Sequence, residues 1–193
     1  MLFKRSDSEK SKPFLSDVKE LRRRARASME RGAVTSSYGL DPAAAIEVLQ
    51  SALATEIVCI LRYTAHAVSA VGINSSEVKA EFLEHAKDET DHMHLIAERI
   101  NELGGTPNMN PEGLLTRSHS QYSDPRELVE MIKENLVAER IAVESYTEMV
   151  RWFGDKDVKS RVMVEGILAK EEEHASDMHD LLVAREGRPM FAK

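Results

Sequence analysis

Several residue types are scarce in this 193-residue chain, and each scarcity excludes a class of protein. A single cysteine, Cys59, excludes an intrachain disulfide framework and any cysteine-rich zinc or iron–sulfur site. Six prolines and nine glycines are too few for a fibrous or low-complexity chain. The sequence has no uninterrupted run of about 18 apolar residues and no apolar segment after its basic N-terminal residues. We therefore predict no membrane span, no secretory signal and a cytoplasmic location.

Charge is unevenly distributed along the chain. The formal net charge is −7, but residues 1–32 contain ten Lys or Arg against five Asp or Glu, and residues 33–193 therefore carry a net charge of −12. Residues 16–31 suit a short basic helix that contains Arg22, Arg23, Arg24 and Arg26. Two interpretations of this basic segment stay open: it binds DNA phosphates, or it packs on the acidic surface of a neighbouring subunit.

Helix-start and helix-end residues divide residues 41–186 into four long helices. The predicted starts are Asp41-Pro42, Asn74 with Glu77, Asp124-Pro125 with Glu127, and Asp155 or Asp157, and the predicted ends precede Gly72, Gly104, Gly154 and Gly187. Each helix has about 30 residues and is about 45 Å long. These lengths predict an all-α four-helix bundle over residues 41–186, preceded by a basic tail (residues 1–40) and followed by a short tail (residues 187–193).

The predicted loop from Gly104 to Ser123 is much longer than the other two. Its 20 residues could reach about 66 Å when extended, which is more than the length of a helix. A crossover that leaves the second and third long helices parallel is therefore possible.

Each long helix carries a glutamate near the middle of its apolar stripe. These residues are Glu56, Glu89, Glu139 and Glu171. A buried, unpaired carboxylate costs several kcal/mol or takes up a proton, so four in one layer indicate a cation among them. His92 and His174 each follow a glutamate by three residues and therefore share its helix face. Four carboxylates and two imidazoles predict a two-metal site in the core of the bundle.

The spacing of these residues indicates a degenerate repeat of a helical hairpin. Glu56 and Glu89 lie 33 residues apart, and Glu139 and Glu171 lie 32 apart. A tyrosine, Tyr63 or Tyr146, follows the first glutamate of each half by seven residues, and Tyr63 in particular is a candidate for hydrogen bonding to the ligand carboxylates.

Four segments of the chain resemble bacterioferritin and its dodecameric, Dps-like relatives. They are the residues from Glu56 to Tyr63, the segment DETDH with Glu89 and His92, the segment LVAE that ends at Glu139, and the segment EEEH from Glu171 to His174. The resemblance covers about residues 41–185. It implies a ferritin-like bundle with a long crossover and two iron ions per subunit. It implies that Glu89 and Glu171 bridge the irons, while Glu56 with His92, and Glu139 with His174, are terminal ligands. The implied activity is oxidation of Fe(II) by O2 or H2O2, followed by iron storage in a hollow shell.

Two departures from bacterioferritin modify these expectations. The position of its haem-binding methionine, directly after the first bridging glutamate, is Thr90, so we predict no haem. Only 19 residues follow His174, too few for a further helix that closes a 24-subunit shell, so we favour 12 subunits. The alternatives are a rubrerythrin-like di-iron peroxidase, although no Cys-x-x-Cys module is present, and a Dps-like protein that protects DNA through its basic tail.

Overall fold

The computed structural model describes residues 17–72 and 75–186, and these ranges form helices and loops without a strand. The chain divides into two compact units, residues 1–37 and residues 38–193. The predicted cap at Asn74 and the predicted tail at residues 187–193 lie outside the described residues, as do residues 1–16 of the basic tail. The predicted division at residue 40 stays a prediction.

The first unit contains a short basic helix, α1 (Val18–Arg26), followed by a single 3-10 turn (Met29–Arg31). Asp17 caps α1 by accepting a hydrogen bond from the Lys19 amide at 2.6 Å. No residue of α1 is buried. Arg23 and Arg24 both pair with Glu20, at 2.7 Å and 3.6 Å, and Arg26 donates to the Arg22 carbonyl at 2.9 Å. The structure therefore places a helix inside the range predicted for it.

The second unit contains four long helices and one short one. They are α2 (Pro42–Ser69), α3 (Ser75–Glu102), α4 (Leu114–Arg117), α5 (Leu128–Phe153) and α6 (Val158–Glu186). Helices α2 and α3 form one hairpin and α5 and α6 form the other, while α2 also contacts α5 and α3 contacts α6. The predicted all-α four-helix bundle is confirmed.

Local capping explains where most of these helices begin and end. Asp41 accepts a hydrogen bond from the Ala43 amide at 3.2 Å at the start of α2, and Pro42 fills the first helical position. Of the two predicted starts of α6, Asp157 is the one used, because its Oδ1 accepts from the Ser160 amide at 2.9 Å. Gly154 ends α5 as predicted, with a φ of 48° that disfavours other residues.

Helix α5 begins later than its sequence signals predict. Asp124-Pro125 lies outside the helix, which begins at Leu128 after Glu127. His66 Nε2 lies 3.0 Å from the carbonyl oxygen of Ser123, so the backbone is still bound to α2 just before the Asp-Pro pair. A proline also disfavours helical backbone in the residue before it.

The segment between α3 and α5 runs along the length of α2. Its contacts, in chain order, join Gln50 to Thr106 and Asn108, Thr55 to His119, Arg62 to Ser120 and Gln121, and His66 to Ser123. Since these partners advance together along both segments, the crossover follows α2 toward its C-terminal end. Helices α3 and α5 are therefore parallel, and all four neighbouring pairs in the bundle are antiparallel.

Helix α2 is the most apolar of the long helices. By length and mean hydropathy, 1.7 over its most apolar window, it could cross a membrane, although it contains no unbroken apolar run of that length. Half of that window is buried inside the bundle, and the buried residues include the charged Glu56 and Arg62. These are the properties of a core helix, which contributes one quarter of the bundle interior.

Candidate metal centre

The six predicted ligands converge in the middle of the bundle. Glu56 comes from α2, Glu89 and His92 from α3, Glu139 from α5, and Glu171 and His174 from α6. All six side chains are buried, and the most exposed, His92, is 7% accessible. Apolar layers lie on both sides along the bundle axis, with Phe82 and Met131 on one side and Ile96 and Phe153 on the other.

The donor atoms form two overlapping groups, each compact enough for one metal ion. One group contains Glu56, Glu89, His92 and Glu171, and the other contains Glu89, Glu139, Glu171 and His174. Within each group the donor atoms lie within 4.8 Å of one another. The groups share Glu89 and Glu171, and bridging carboxylates are what two neighbouring metal ions require. The structure thus brings all six residues together, and their role as ligands stays a prediction.

Both histidines direct Nδ1 at the shared carboxylates. His92 Nδ1 lies 3.0 Å from Glu171 Oε1, 3.2 Å from Glu89 Oε2 and 3.5 Å from Glu56 Oε2. His174 Nδ1 lies 3.9 Å from Glu89 Oε1 and 4.0 Å from Glu171 Oε2. Each imidazole can therefore donate one nitrogen to the centre while its other nitrogen faces away.

The protonation of the centre reflects its crowded carboxylates. Burial, together with the charges of neighbouring glutamates, raises the pKa of Glu89 and of Glu171 well above the ordinary value. Burial alone would lower the pKa of His92, but its contacts with Glu171 and Glu56 raise it to about 10. Without a metal ion, protons must therefore offset part of the negative charge.

Several donor atoms of the centre make no hydrogen bond. They are Glu56 Oε2, Glu89 Oε1, Glu139 Oε2, Glu171 Oε1 and His174 Nδ1. Buried polar atoms are rarely left unpaired in folded proteins, because each costs about 1–3 kcal/mol. Four carboxylate oxygens and one imidazole nitrogen in the same layer fit a pair of cations that accept N and O ligands.

Two buried tyrosines support the centre in a pseudo-symmetric way. Tyr63 of α2 donates its hydroxyl proton to Glu139 of α5, and Tyr146 of α5 donates to Glu56 of α2. Each tyrosine thus joins the two hairpins and fixes one oxygen of a terminal glutamate. The predicted sequence repeat, which places a tyrosine seven residues after the first glutamate of each half, agrees with this equivalence of Tyr63 and Tyr146.

Three further residues near the centre were not predicted to belong to it. Asp88 Oδ2 lies 3.3 Å from His174 Nε2. His85 stacks on His174 with ring centroids 3.8 Å apart, and burial lowers the pKa of His85 to about 3. Arg62 is 1% accessible. Burial raises the pKa of Glu139, and the charge of Arg62 partly offsets this rise. The sequence signal that could have identified Arg62 is that it is the one Lys or Arg in helix α2.

Arg62 also connects three segments of the chain. Its Nε donates to Asn135 Oδ1 at 2.9 Å, and its Nη1 donates to Ser120 Oγ at 3.0 Å and to the Gln121 carbonyl at 2.9 Å. Asn135 is completely buried. Arg62 therefore holds the crossover and α5 against α2 at the height of the centre.

A bundle with an internal crossover and a buried cluster of four glutamates and two histidines defines the class of helical carboxylate-bridged two-metal proteins. Comparison with protein families makes this specific: residues 46–186 match the ferritin-like domain. The chain belongs to the ferritin-like domain family.

Individual relatives agree with this assignment. The chain is 29% identical over 151 residues to a DNA protection during starvation protein of Pyrococcus furiosus, covering 76% of this chain and 81% of that protein. It is 31% identical over 134 residues to a nutrient stress-induced DNA-binding protein of a Synechococcus species, covering 67% of this chain and 75% of that protein. Among solved structures, a dodecameric thioferritin, the bacterioferritin-related protein of Bacteroides fragilis, is 32% identical, with a TM-score of 0.73 and coverage of 80% of this chain and 94% of that chain.

Proposed function

We propose that this protein is a cytoplasmic, haem-free ferroxidase that oxidises Fe(II) at the buried centre and stores or detoxifies the iron. The observation that carries the proposal is the pair of overlapping donor groups that share Glu89 and Glu171. Two iron ions per subunit fit these groups, because carboxylate and imidazole ligands suit both Fe(II) and Fe(III).

Charge balance supports the binding of two divalent cations such as Fe(II). With four ionised glutamates and two neutral histidines, two Fe(II) ions make the centre neutral, which reduces the cost of burying it. Metal binding displaces the protons that the crowded carboxylates hold in its absence. Each Fe(II) then gives one electron to O2 or H2O2, and Tyr63 and Tyr146 keep Glu139 and Glu56 oriented during the reaction.

The residue that follows Glu89 is the reason for proposing that the protein binds no haem. Thr90 stands there, and its hydroxyl donates to the Ala86 carbonyl of its own helix at 2.8 Å. A threonine engaged in this way offers no thioether to an iron porphyrin.

The proposed ferroxidase activity is tested by replacing a bridging glutamate. We expect Glu89→Gln to slow aerobic Fe(II) oxidation by at least about 100-fold, since loss of a shared ligand affects both metal positions. Glu84→Gln removes an exposed carboxylate from the same helix and is the matched control. An unchanged rate of ferric absorbance increase in Glu89→Gln would contradict the proposal.

We also propose that the protein forms a closed shell of 12 subunits that retains iron. A dodecameric relative supports this assembly. An open groove of about 830 Å3 between α2 and α5, lined by Val137, Ile141 and Trp152, leaves apolar surface for contacts between subunits. Light scattering should give about 260 kDa for twelve chains of 21.7 kDa. Hundreds of irons retained per particle would support storage, whereas retention of only two per subunit would favour a peroxidase.

DNA protection is a second candidate function. The exposed arginines of α1 and the names of the two relatives, a DNA protection protein and a DNA-binding protein, favour it. We expect the intact protein to retard DNA at low salt, with an affinity that falls steeply as salt rises. Deletion of residues 1–32 should abolish retardation while the shell stays intact. If assembly is lost instead, the basic segment packs on a neighbouring subunit.

A further inference from the structure

A second cluster of potential ligands lies outside the centre, on the same two helices. Glu81 and His85 lie one turn apart on α3, and Asp177 lies opposite them on α6. Their donor atoms all lie within 4.8 Å of one another. His85 Nε2 lies 3.4 Å from Glu81 Oε1 and 3.7 Å from Asp177 Oδ2. None of the three belongs to the six residues of the centre.

The hydrogen bonds around His85 determine which of its two ring nitrogens carries the lone pair. Tyr63 donates its hydroxyl proton to Glu139, so its oxygen accepts from His85 Nδ1, which lies 3.0 Å away. In a neutral imidazole with its proton on Nδ1, Nε2 carries the lone pair. That lone pair is directed at two carboxylates.

The environment of His85 Nε2 is unfavourable unless a cation is present. The His85 side chain is 2% accessible, and Nε2 makes no hydrogen bond. Its polar contacts are with two carboxylates, which are acceptors when ionised and therefore cannot donate to the lone pair of Nε2. Burial and the charge of Asp177 both raise the pKa of Glu81, which agrees with a crowded pair of carboxylates.

The cluster is open to ions from one side. The side chains of Glu81 and Asp177 are 32% and 43% accessible, while His85 closes the inner side. A cation can therefore enter from solvent without any opening of the bundle. One imidazole nitrogen and two carboxylate oxygens suit Fe(II), Zn(II) or Co(II), and solvent can complete the coordination.

We propose that Glu81, His85 and Asp177 form a third divalent-metal site of each subunit, beside the two-metal centre and separate from it. The site is joined to the centre through the hydrogen bonds His85–Tyr63–Glu139. This site does not depend on the proposed ferroxidase activity, because none of its three residues is one of the six central ligands.

Zinc titration of the full chain tests the third site. We expect calorimetry and metal analysis to give three Zn(II) per chain, and two after the double substitution Glu81→Gln with Asp177→Asn. The control Glu84→Gln with Asp180→Asn removes the same charge from exposed positions of the same helices and should retain three. An equal stoichiometry in the test and control variants would overturn the proposal.

A variant of the centre separates the two claims. Glu89→Gln disrupts the centre, and we expect it to retain one Zn(II) that the added Glu81→Gln and Asp177→Asn substitutions remove. Zinc anomalous scattering from crystals should then place that ion between His85 Nε2 and the two carboxylates. A peak elsewhere would overturn the third site and leave the ferroxidase proposal standing. Both replaced residues are partly exposed and the changes are near-isosteric, so circular dichroism should show an unchanged fold.

Discussion

Two buried polar clusters at different heights of the same bundle differ in whether their charged groups are fully paired. At the end near the α5–α6 turn, Arg99 Nη2 donates to both oxygens of Asp157 at 3.0 Å, and Arg99 Nε donates to Ser160 Oγ at 2.8 Å. Tyr38 donates to Asp157 Oδ2 at 2.8 Å. In the middle of the bundle, four glutamates share two histidines, and four carboxylate oxygens make no hydrogen bond, although Glu171 Oε1 lies 3.0 Å from His92 Nδ1. The first cluster is complete without a ligand, whereas the second is incomplete.

The contrast separates a structural cluster from a functional one. Hydrogen bonds from Ser160, Tyr38 and Arg99 lower the pKa of Asp157 against the effect of burial, so its folded state favours the charge. The pKa of Glu89 is raised by burial and by its neighbours, so its folded state resists the charge. We therefore expect the ion pair of Arg99 and Asp157 to stabilise the fold and the glutamate cluster to bind cations.

The largest expected effect comes from breaking the complete cluster. Asp157→Ala leaves Arg99 with the partly exposed Glu102 as its remaining ion-pair partner and removes the cap of α6, so we expect a loss of about 3 kcal/mol of unfolding free energy. Urea unfolding monitored by circular dichroism measures it. Asp155→Ala, at the neighbouring exposed aspartate, is the control and should change stability by less than about 0.5 kcal/mol. Equal losses in both variants would remove the distinction between the two positions.

Completing the other cluster should stabilise the protein. A divalent ion that binds only the folded state adds about 2.7 kcal/mol at a concentration 100 times its Kd. We therefore expect Zn(II) to raise the thermal midpoint of the wild-type protein. In Glu89→Gln the rise should be much smaller, because a shared donor is lost. A full metal-induced rise in that variant would show that the ions bind elsewhere.

Without metal, the same substitution should have the opposite sign to Asp157→Ala. Glu89→Gln removes one of four crowded carboxylates, so we expect the metal-free protein to gain roughly 1–2 kcal/mol near neutral pH. Urea unfolding in the presence of a chelator measures this gain, with Glu84→Gln as an exposed control. A clear loss of stability in Glu89→Gln would mean that its charge supports the fold.

The pH dependence of stability should distinguish the clusters further. The folded-state pKa values of Glu89 and Glu171 are raised, so the metal-free protein binds extra protons and loses stability as pH rises above about 4.5. The pKa of Asp157 is lowered, so its contribution is present above about 3.8 and is lost as pH falls through its folded value. Glu89→Gln should flatten the first dependence, and Asp157→Asn the second. Unfolding curves from pH 3 to 8 test both slopes.

The smallest expected effect concerns the tyrosines. Tyr63→Phe and Tyr146→Phe each remove one hydrogen bond to a terminal glutamate, and we expect each to slow Fe(II) oxidation by roughly 10-fold or less. Tyr63→Phe should have the larger effect, because it also leaves His85 Nδ1 without its acceptor. Stopped-flow oxidation compares the two, and equal rates would limit the role of His85.

The residues of the centre could be predicted because burial makes a glutamate conspicuous on an apolar stripe. Glu56 and Glu139 interrupt otherwise apolar faces, and the sequence spacing paired them with Glu89 and Glu171. The length of one loop allowed the crossover but did not require it. Asp88 could not be predicted, because its contact with His174 depends on how α3 faces α6 rather than on its own helix. The late start of α5 depends in the same way on a contact with His66 in another helix.

The buried arginine of α2 has a consequence for the order in which the chain folds. The α2–α3 and α5–α6 hairpins join neighbouring segments and need little loop-closure entropy, whereas Arg62 and its partner Asn135 lie 73 residues apart. A guanidinium stays hydrated until its partners are in place, because an unpaired buried charge is costly. We therefore expect the hairpins to form first and dock last. Each hairpin alone holds two glutamates and one histidine, so a newly made chain brings its six predicted ligands together only when docking is finished.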